Sequence, residues 1–417
     1  MYTSLLKKYW VYIVGIIFAL AVAFGILQSR QDPYSGYPGK SVGTAPAEKD
    51  IKAYYQQSKE IQAQQKAETT ATFFAAGDIM LSRSVADAIA KANDPHLPFS
   101  RMKEILNSTN FNFANLESPV SGKSTYNKSG SMVFNAPQGY AAMLKTYNFQ
   151  IVNLANNHAL DQGTAGLFHT MDYLTGLDIA YTGTGKTLQE AWQPKTVEAN
   201  GIKICFIGAS YASINDNGKT TNDYVARIED TEKLKSSILN LKASCDFIVA
   251  TMHAGTEYTR KPNSAQTAFA HAALDAGADM VIGAHPHWVQ TIERYCPKFP
   301  SSPNEERIPE GQMRLQCPNP KYIFYSLGNF IFDQEWSQDT KEGLTLKIQI
   351  SKNNVKNAAA PGAAGIDDLQ GPKLSAHIKQ IELIPVIIEN YSTPRPATPE
   401  EAKKILEKIG ETETILK

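Results

Sequence analysis

The chain has 417 residues, with 41 basic and 41 acidic side chains, so its formal net charge is zero. That balance lacks the basic excess of nucleic-acid binders, and no nucleic acid is expected as a partner. Hydrophobic residues at 42% and aromatics at 10% describe a globular chain, and four cysteines are too few for a disulfide scaffold. A mean hydropathy of −0.30 excludes a polytopic membrane protein but allows one span.

That span is legible near the N-terminus. Tyr9–Ser29 carries no charge, and its core, Trp10–Leu27, is 18 nearly all-apolar residues, close to the ~20 that a bilayer core requires. Lys7 and Lys8 precede it, which predicts a cytoplasmic N-terminus and a single-pass cell-membrane protein whose main domain is extracytoplasmic. The rival reading is a cleaved signal peptide, because Ala19-Leu20-Ala21 and Ala21-Val22-Ala23 offer small-residue cleavage patterns. Both readings export everything after Arg30.

Gln31–Ala47 is rich in Pro, Gly and Ser and reads as a linker, while Glu48–Glu68 is polar and helix-prone and reads as a solvated stalk. The organisation is then 1–30 for the tip and anchor, 31–70 for linker and stalk, 71–390 for the globular domain, and 391–417 for a Pro-rich segment and terminal helix. Within the globular part, Thr72–Ala76, Phe111–Asn115, Gln150–Leu154, Lys203–Gly208, Phe247–Met252, Met280–Gly283 and Tyr322–Tyr325 are short apolar runs that read as buried strands. Amphipathic stretches at Pro137–Tyr147, Glu229–Lys242 and Ser264–Ala276 alternate with them, which predicts an α/β fold with largely parallel strands. Asn200-Gly201 signals a hairpin and hence some antiparallel pairing. Gly343–Ile350 and Ala376–Val386 carry alternating strand patterns, Thr393–Pro399 is Pro-rich, and Pro399–Ile409 reads as a helix. Residues 296–320 form a Pro-rich insertion bracketed by Cys296 and Cys317, which are expected to be bridged. Cys205 and Cys245 read as structural and reduced, with a second bridge as the alternative.

The chemistry lies just past the strands. The first run ends in Gly77-Asp78, the second in Leu116-Glu117, the third in Asn156-Asn157-His158, the fifth in His253 and the sixth in His285-Pro286-His287. Open α/β sheets bind ligands outside the carboxyl ends of their strands. Buried charged groups need a partner or a metal. Singly, each piece has a structural reading as a turn, a helix cap or a rigid corner. Together, three histidines, two carboxylates and an asparagine form a donor set suited to Zn, Mn or Fe, with no thiolate.

The segments GDIMLSR (Gly77–Arg83), NLESP (Asn115–Pro119), NLANNHALDQG (Asn153–Gly163), HAGTEY (His253–Tyr258), GAHPH (Gly283–His287) and YSLGNFIFDQ (Tyr325–Gln334) resemble, in this order, the CapA family, named for poly-γ-glutamate synthesis, within the calcineurin-like metallophosphoesterase superfamily. The resemblance implies a four-layer αββα sandwich preceded by the transmembrane helix. It assigns Asp78 to the first metal, Glu117 to a bridge between two metals, and Asn157, His253 and His285 to the second metal. His287 would bind the first metal, and His158 would assist the leaving group. The superfamily's Asp-x-His is here Asp78-Ile79-Met80, and Met is a poor ligand for such ions, so one or two ions are expected. Asp161 is expected to orient His158 or to cap the next helix. Arg83 and Arg260 are read either as contacts to an anionic substrate or as ordinary salt-bridge residues. Asn329 lines the site or satisfies loop backbone. His96, His169 and His271 read as core or surface residues.

The resulting expectation is a membrane-anchored protein acting in synthesis, export or anchoring of an anionic polymer such as poly-γ-glutamate, with other polymer-synthesis membrane proteins as further partners. The alternative is a metal-dependent phosphoesterase or amide hydrolase of cell-envelope substrates. A binding module that has lost its metals is disfavoured by the three strand-end histidines.

Overall fold

A computed structural model describes residues 68–123, 125–128, 130–211, 223–297, 320–353 and 376–416. The expected anchor, linker and stalk, most of the 296–320 insertion, and Cys317 lie outside these residues. Among the described residues no helix is long and apolar enough to cross a membrane.

The strands, in chain order, are β1 (Glu68–Ile79), β2 (Phe111–Leu116), β3 (Phe149–Asn153), β4 (Ala180–Thr182), β5 (Lys195–Ala199), β6 (Ile202–Ser210), β7 (Phe247–His253), β8 (Met280–Ala284), β9 (Ile292–Tyr295), β10 (Lys321–Phe324), β11 (Asn329–Ile331), β12 (Glu342–Asn353), β13 (His377–Glu389), β14 (Thr393–Pro396) and β15 (Ile415–Leu416). The longer helices are α1 (Arg83–Ala92), α2 (Gly163–Gly176), α3 (Thr231–Leu241), α4 (Ser264–Ala276) and α5 (Pro399–Lys408). The stretch Pro137–Tyr147 forms two one-turn helices, Gln138–Ala141 and Met143–Thr146.

Two sheets result. The larger runs β14-β13-β12-β1-β2-β3-β4, with β11 added to β1 and β15 to β13; the smaller runs β5-β6-β7-β8-β10-β9. β1 to β4 are parallel, as are β6, β7, β8 and β10. The fold is therefore mixed α/β, as the alternation of runs predicts. Asn200 and Gly201 adopt φ of 52° and 77°, the left-handed pair that a tight hairpin requires, and they join β5 to β6.

Each central strand is buried on both faces, and the two-residue period sorts its side chains between two cores. Phe73 and Ala75 of β1 face a core shared with Phe206 of β6 and Val249 of β7, so this core lies between the sheets. Phe74 and Ala76 face a second core, with Val85 and Ile89 of α1 and Leu167 and Met171 of α2. Cys205 and Ile207 of β6 face a third, with Leu234 and Ile238 of α3 and Phe269 and Ala273 of α4. Helices thus cover both outer sides of a sheet pair. Aromatic contacts join the sheets, Phe113 stacking on Phe206 at 5.1 Å between centroids. Helix ends follow local chemistry. Asn263 and Gln266 form a capping box on α4, and Thr398 and Glu401 form one on α5, where Pro399 occupies the first turn.

In the C-terminal segment 391–417, β14 and β15 both pair with β13. Pro394 and Pro396 are tolerated because β14 is an edge strand, where a missing N–H costs no ladder bond. Cys205 and Cys245 are not reduced but joined to each other. Cys205 lies in β6 and Cys245 two residues before β7. The parallel register of Ile204 with Phe247 brings the two cysteines to a Cα separation of 6.0 Å, within disulfide reach. Cys296 is also disulfide-bonded.

The Cys205–Cys245 bridge closes a loop with a sequence separation of 40. Replacing both cysteines by alanine is expected to lower stability by about 2–4 kcal/mol. The check is a fall in the urea midpoint, with a slope that rises as the unfolded chain loses its cross-link.

Candidate metal centre

The parallel strands of both sheets deliver their carboxyl ends to one place. Asp78 sits on a register rung of the larger sheet, opposite Asn329 of β11 on one side and Asn115 of β2 on the other, and Asn115 in turn pairs with Asn153 of β3. Gly77 permits this rung, since a Cβ there would stand 1.8 Å from the Gly328 carbonyl oxygen, which accepts the Asp78 N–H at 3.1 Å. In the smaller sheet His253 pairs with Ala284, so His285 follows one residue beyond the rung.

Asp78, Glu117 and His253 each bring a ligand atom within 4.8 Å of the others, and all three are buried. His253 Nε2 is 2.7 Å from Asn157 Oδ1 and 3.8 Å from Glu117 Oε1, and its Nδ1 is 3.6 Å from Asp78 Oδ1. An amide oxygen only accepts, so the proton lies on Nε2 and the Nδ1 lone pair is open. The His285 ring lies 4.8 Å from that of His253, and its backbone N–H donates to Asp78 Oδ2 at 3.2 Å. His287 Nδ1 donates to Asn329 Oδ1 at 2.9 Å and lies 3.6 Å from Asp78 Oδ2. Asn329 therefore lines the site. His158 Nδ1 is 2.8 Å from Asp161 Oδ2, while its Nε2 is 3.7 Å from Glu117 Oε1. Phe134 stacks on the His158 ring at 3.8 Å. Asp161 thus orients His158.

Four buried donor or acceptor atoms have no hydrogen-bond partner here: both Glu117 oxygens, His253 Nδ1 and His285 Nδ1. Burial pushes the Glu117 carboxyl well above the usual carboxylate range, and the charge of Asp78 adds to the effect. Burial raises Asp78 too, against the pull of His287. His253 and His285 are held well below the usual imidazole range, and His287 below it, chiefly by burial. Neutral imidazoles beside two crowded carboxylates are a donor set that a divalent cation completes.

Other sequence candidates serve the walls. Arg83 is bonded to Asp333 through two nitrogens and to the Ser131 carbonyl at 3.1 Å. Arg260 pairs with Asp339, donates to the Val289 carbonyl at 2.8 Å and lies over Trp288. Met80 is buried in the apolar core, its sulfur accepting the Ser82 N–H at 3.0 Å. His169 bonds the Val120 carbonyl, and His271 stacks on Tyr295.

Sequence reasoning missed Asn115 and Asn153 as residues of the site. Asn115 Nδ2 donates to Asp78 Oδ1 at 2.8 Å, while its own Oδ1 accepts from Asn153 at 3.0 Å and Asn156 at 3.4 Å. The available signal was an amide inside two otherwise apolar strand runs, which must find partners once buried.

Fold and site define a mixed α/β protein with a buried carboxylate–histidine centre at its strand ends, suited to a metal ion. The family model described as bacterial capsule synthesis protein PGA_cap matches residues 72–334, and the chain belongs to that family. It is 29% identical over 279 residues to the PGA biosynthesis protein CapA of Bacillus subtilis (strain 168), covering 66% of this chain and 67% of that one. It is 28% identical over 287 residues to the capsule biosynthesis protein CapA of Bacillus anthracis, covering 66% of this chain and 63% of that one. The chain thus spans about two thirds of the length of these relatives. Among solved structures, the 5′-nucleotidase precursor of Thermus thermophilus aligns with a TM-score of 0.38 at 14% identity, over 81% of this chain and 58% of that one. The NAD nucleotidase NadN of Haemophilus influenzae aligns with a TM-score of 0.35 at 12% identity, over 83% and 63%.

Replacing Asn115 by leucine removes the amide donor from one Asp78 oxygen, while the Asn153 and Asn156 amides keep the Ala155 and Leu116 carbonyls. The expected result is a ~10–100-fold loss of metal affinity, measured by Mn²⁺ titration, with a stability loss of about 1–3 kcal/mol.

Proposed function

We propose that this protein is a membrane-anchored CapA-type factor that acts in making, exporting or tethering an anionic surface polymer such as poly-γ-glutamate. In this reading it works through a divalent ion held by Asp78, Glu117, Asn157, His253, His285 and His287. The single observation that carries it is the convergence of the buried Asp78, Glu117 and His253, with both Glu117 oxygens and His253 Nδ1 unpartnered. Family membership and the names of the two Bacillus proteins support the polymer role. Apolar Trp10–Leu27 supports the anchor, and the Cys205–Cys245 bridge favours an oxidising compartment. The donor set suits Mn, Zn or Fe, in a fold of metallophosphoesterase type.

A second reading, a phosphoester or amide hydrolase, is favoured by the His158–Asp161 pair. A bound divalent ion would supply Lewis acidity there. The chain's own residues do the rest. Asp161 fixes the proton on His158 Nδ1, leaving Nε2 facing Glu117 to give or take a proton at the reacting centre. Phe134 covers one face of the ring and keeps water from it.

Purified full-length protein is expected to retain at least one Mn, Zn or Fe per chain by elemental analysis, and Glu117→Ala to lose it. Added metal at 100 times its Kd is expected to stabilise the wild type by ~2.7 kcal/mol and the variant not at all. His158→Ala is expected to keep the metal and to lower any hydrolysis of phosphodiester or γ-glutamyl substrates ~10²–10⁴-fold. Wild-type protein with no metal, and no response to it, would sink the proposal.

A further inference from the structure

The fourth apolar run, Lys203–Gly208, is followed by no carboxylate or imidazole, so the sequence names no site residue for its strand. The structure puts a phenol there. The run forms most of β6, which lies parallel to β7, and Ser210 shares a rung with His253 as His253 does with Ala284. One residue past that rung come Tyr211 after β6 and His285 after β8. Their rings lie 4.7 Å apart, and the His285 ring lies 4.8 Å from that of His253. Tyr211 thus joins the two imidazoles in one cluster of rings at the strand ends of the smaller sheet.

The backbone of Tyr211 is fixed to this cluster. Its N–H donates to the His253 carbonyl at 3.3 Å, which also accepts from Ser210 Oγ at 3.2 Å. Its own carbonyl accepts at 2.7 Å from the guanidinium of Arg227, a residue only 1% exposed. The hydroxyl differs, for it bonds none of the described residues. Tyrosine hydroxyls usually find a partner when the ring is buried. The charges of Glu257 and Glu117 both reach this hydroxyl, and both Glu117 oxygens are themselves unpartnered. A phenol ionises near pH ~10, and burial moves this one further up, so it is an uncharged donor at neutral pH.

That neutrality suits the place. Arg83 and Arg260, the cations that the sequence offers to an anionic substrate, are bonded to carboxylates in the walls. A guanidinium at position 211 would pair with Glu117 and fill the space that a metal ion needs. A hydroxyl offers a hydrogen bond to an anionic oxygen without that competition.

We propose that Tyr211 contacts the substrate of this centre, its hydroxyl donating a hydrogen bond to an oxygen of the acidic polymer chain that lies against Glu117 and the histidines. The inference rests on the reading of Asp78, Glu117 and His253 as a metal centre that takes such a polymer. Hydrogen bonds to a charged acceptor are the stronger kind. Glu257, the like charge nearest to hand, is exposed, and water and salt screen it. In the hydrolase reading, the same O–H stabilises the oxygen on which negative charge gathers and keeps its own proton throughout.

The test compares wild type with Tyr211→Phe, which keeps the ring against His285 and removes only the hydroxyl. Both full-length proteins are titrated with Mn²⁺ by calorimetry, and then, with and without saturating Mn²⁺, with a γ-glutamyl hexamer and with inorganic phosphate. Tyr211→Phe is expected to keep the wild-type urea midpoint and Mn²⁺ affinity. It is expected to bind the hexamer at least ~10-fold more weakly, the effect of one lost hydrogen bond to a charged group. A fall in Mn²⁺ affinity would make Tyr211 a metal ligand and overturn the proposal. Equal hexamer binding by the two proteins, no hexamer binding by the wild type, or a loss confined to phosphate would overturn it too. A wild type that takes up no Mn²⁺ but binds the hexamer, with the same loss in Tyr211→Phe, would remove the metal reading and leave Tyr211 as the polymer's donor.

Discussion

Asp78 and Glu117 lie fully buried within reach of the same imidazole, and this crowding governs the rest of the site. Desolvation penalises each ionised carboxylate, and the charge of Asp78 further penalises ionised Glu117. His253 and His285 do not balance them, because the same burial disfavours their charged forms, and the pull of His287 on Asp78 is outweighed by desolvation. A hydrophobic interior would not keep such a set without compensation. A divalent cation would supply that compensation, and Glu117, His253 and His285 carry the unpartnered buried atoms that could hold it.

The fold supplies the crowding through register. Asn329, Asp78, Asn115 and Asn153 follow one another across neighbouring strands, so that Asp78 bonds Asn115 and Asn115 bonds Asn153 directly, while Asn329 on the other side of Asp78 holds His287. Sites built on strands are held more tightly than sites on loops. The histidine corner is different. His285 and His287 adopt φ of 101° and 58°, conformations that disfavour a side chain. The backbone bond from His285 to Asp78 and the ring bond from His287 to Asn329 hold that strained turn against the larger sheet. Strain in one sheet's loop is thus offset by hydrogen bonds to the other sheet, which makes the centre a product of the two sheets together.

Much of this was legible in the chain. Short, nearly continuous apolar runs marked the central strands, because both faces are buried there and length separates them from helices. The polar residue just past each run marked the centre, since parallel strands bring those positions together whatever their order. What escaped was information carried by pairing. Cys205 and Cys245 look unrelated until β6 and β7 are set in parallel register. Asn115 and Asn153 look like weak points in strands until they are read as a lateral chain. Asp333 lies 250 residues from Arg83, and no local pattern links the two. The strand in the Pro-rich tail was not legible either, because proline lowers strand propensity and is tolerated only at a sheet edge such as β14.

The Arg83–Asp333 pair has a consequence for the centre itself. Arg83 lies close enough for its charge to favour ionised Glu117. A guanidinium bonded directly to Glu117 would satisfy both of its oxygens and occupy the place of a metal ion. Asp333 instead engages two of the Arg83 nitrogens, and the Ser131 carbonyl takes a third. The side chain is further fixed between the rings of Phe134 and Phe332. Arg83 therefore acts on Glu117 by its field and not by contact, leaving the carboxylate both ionisable and open. Asp333 is in this sense part of the metal centre without touching it, because it keeps the nearby arginine from filling the position that the cation needs.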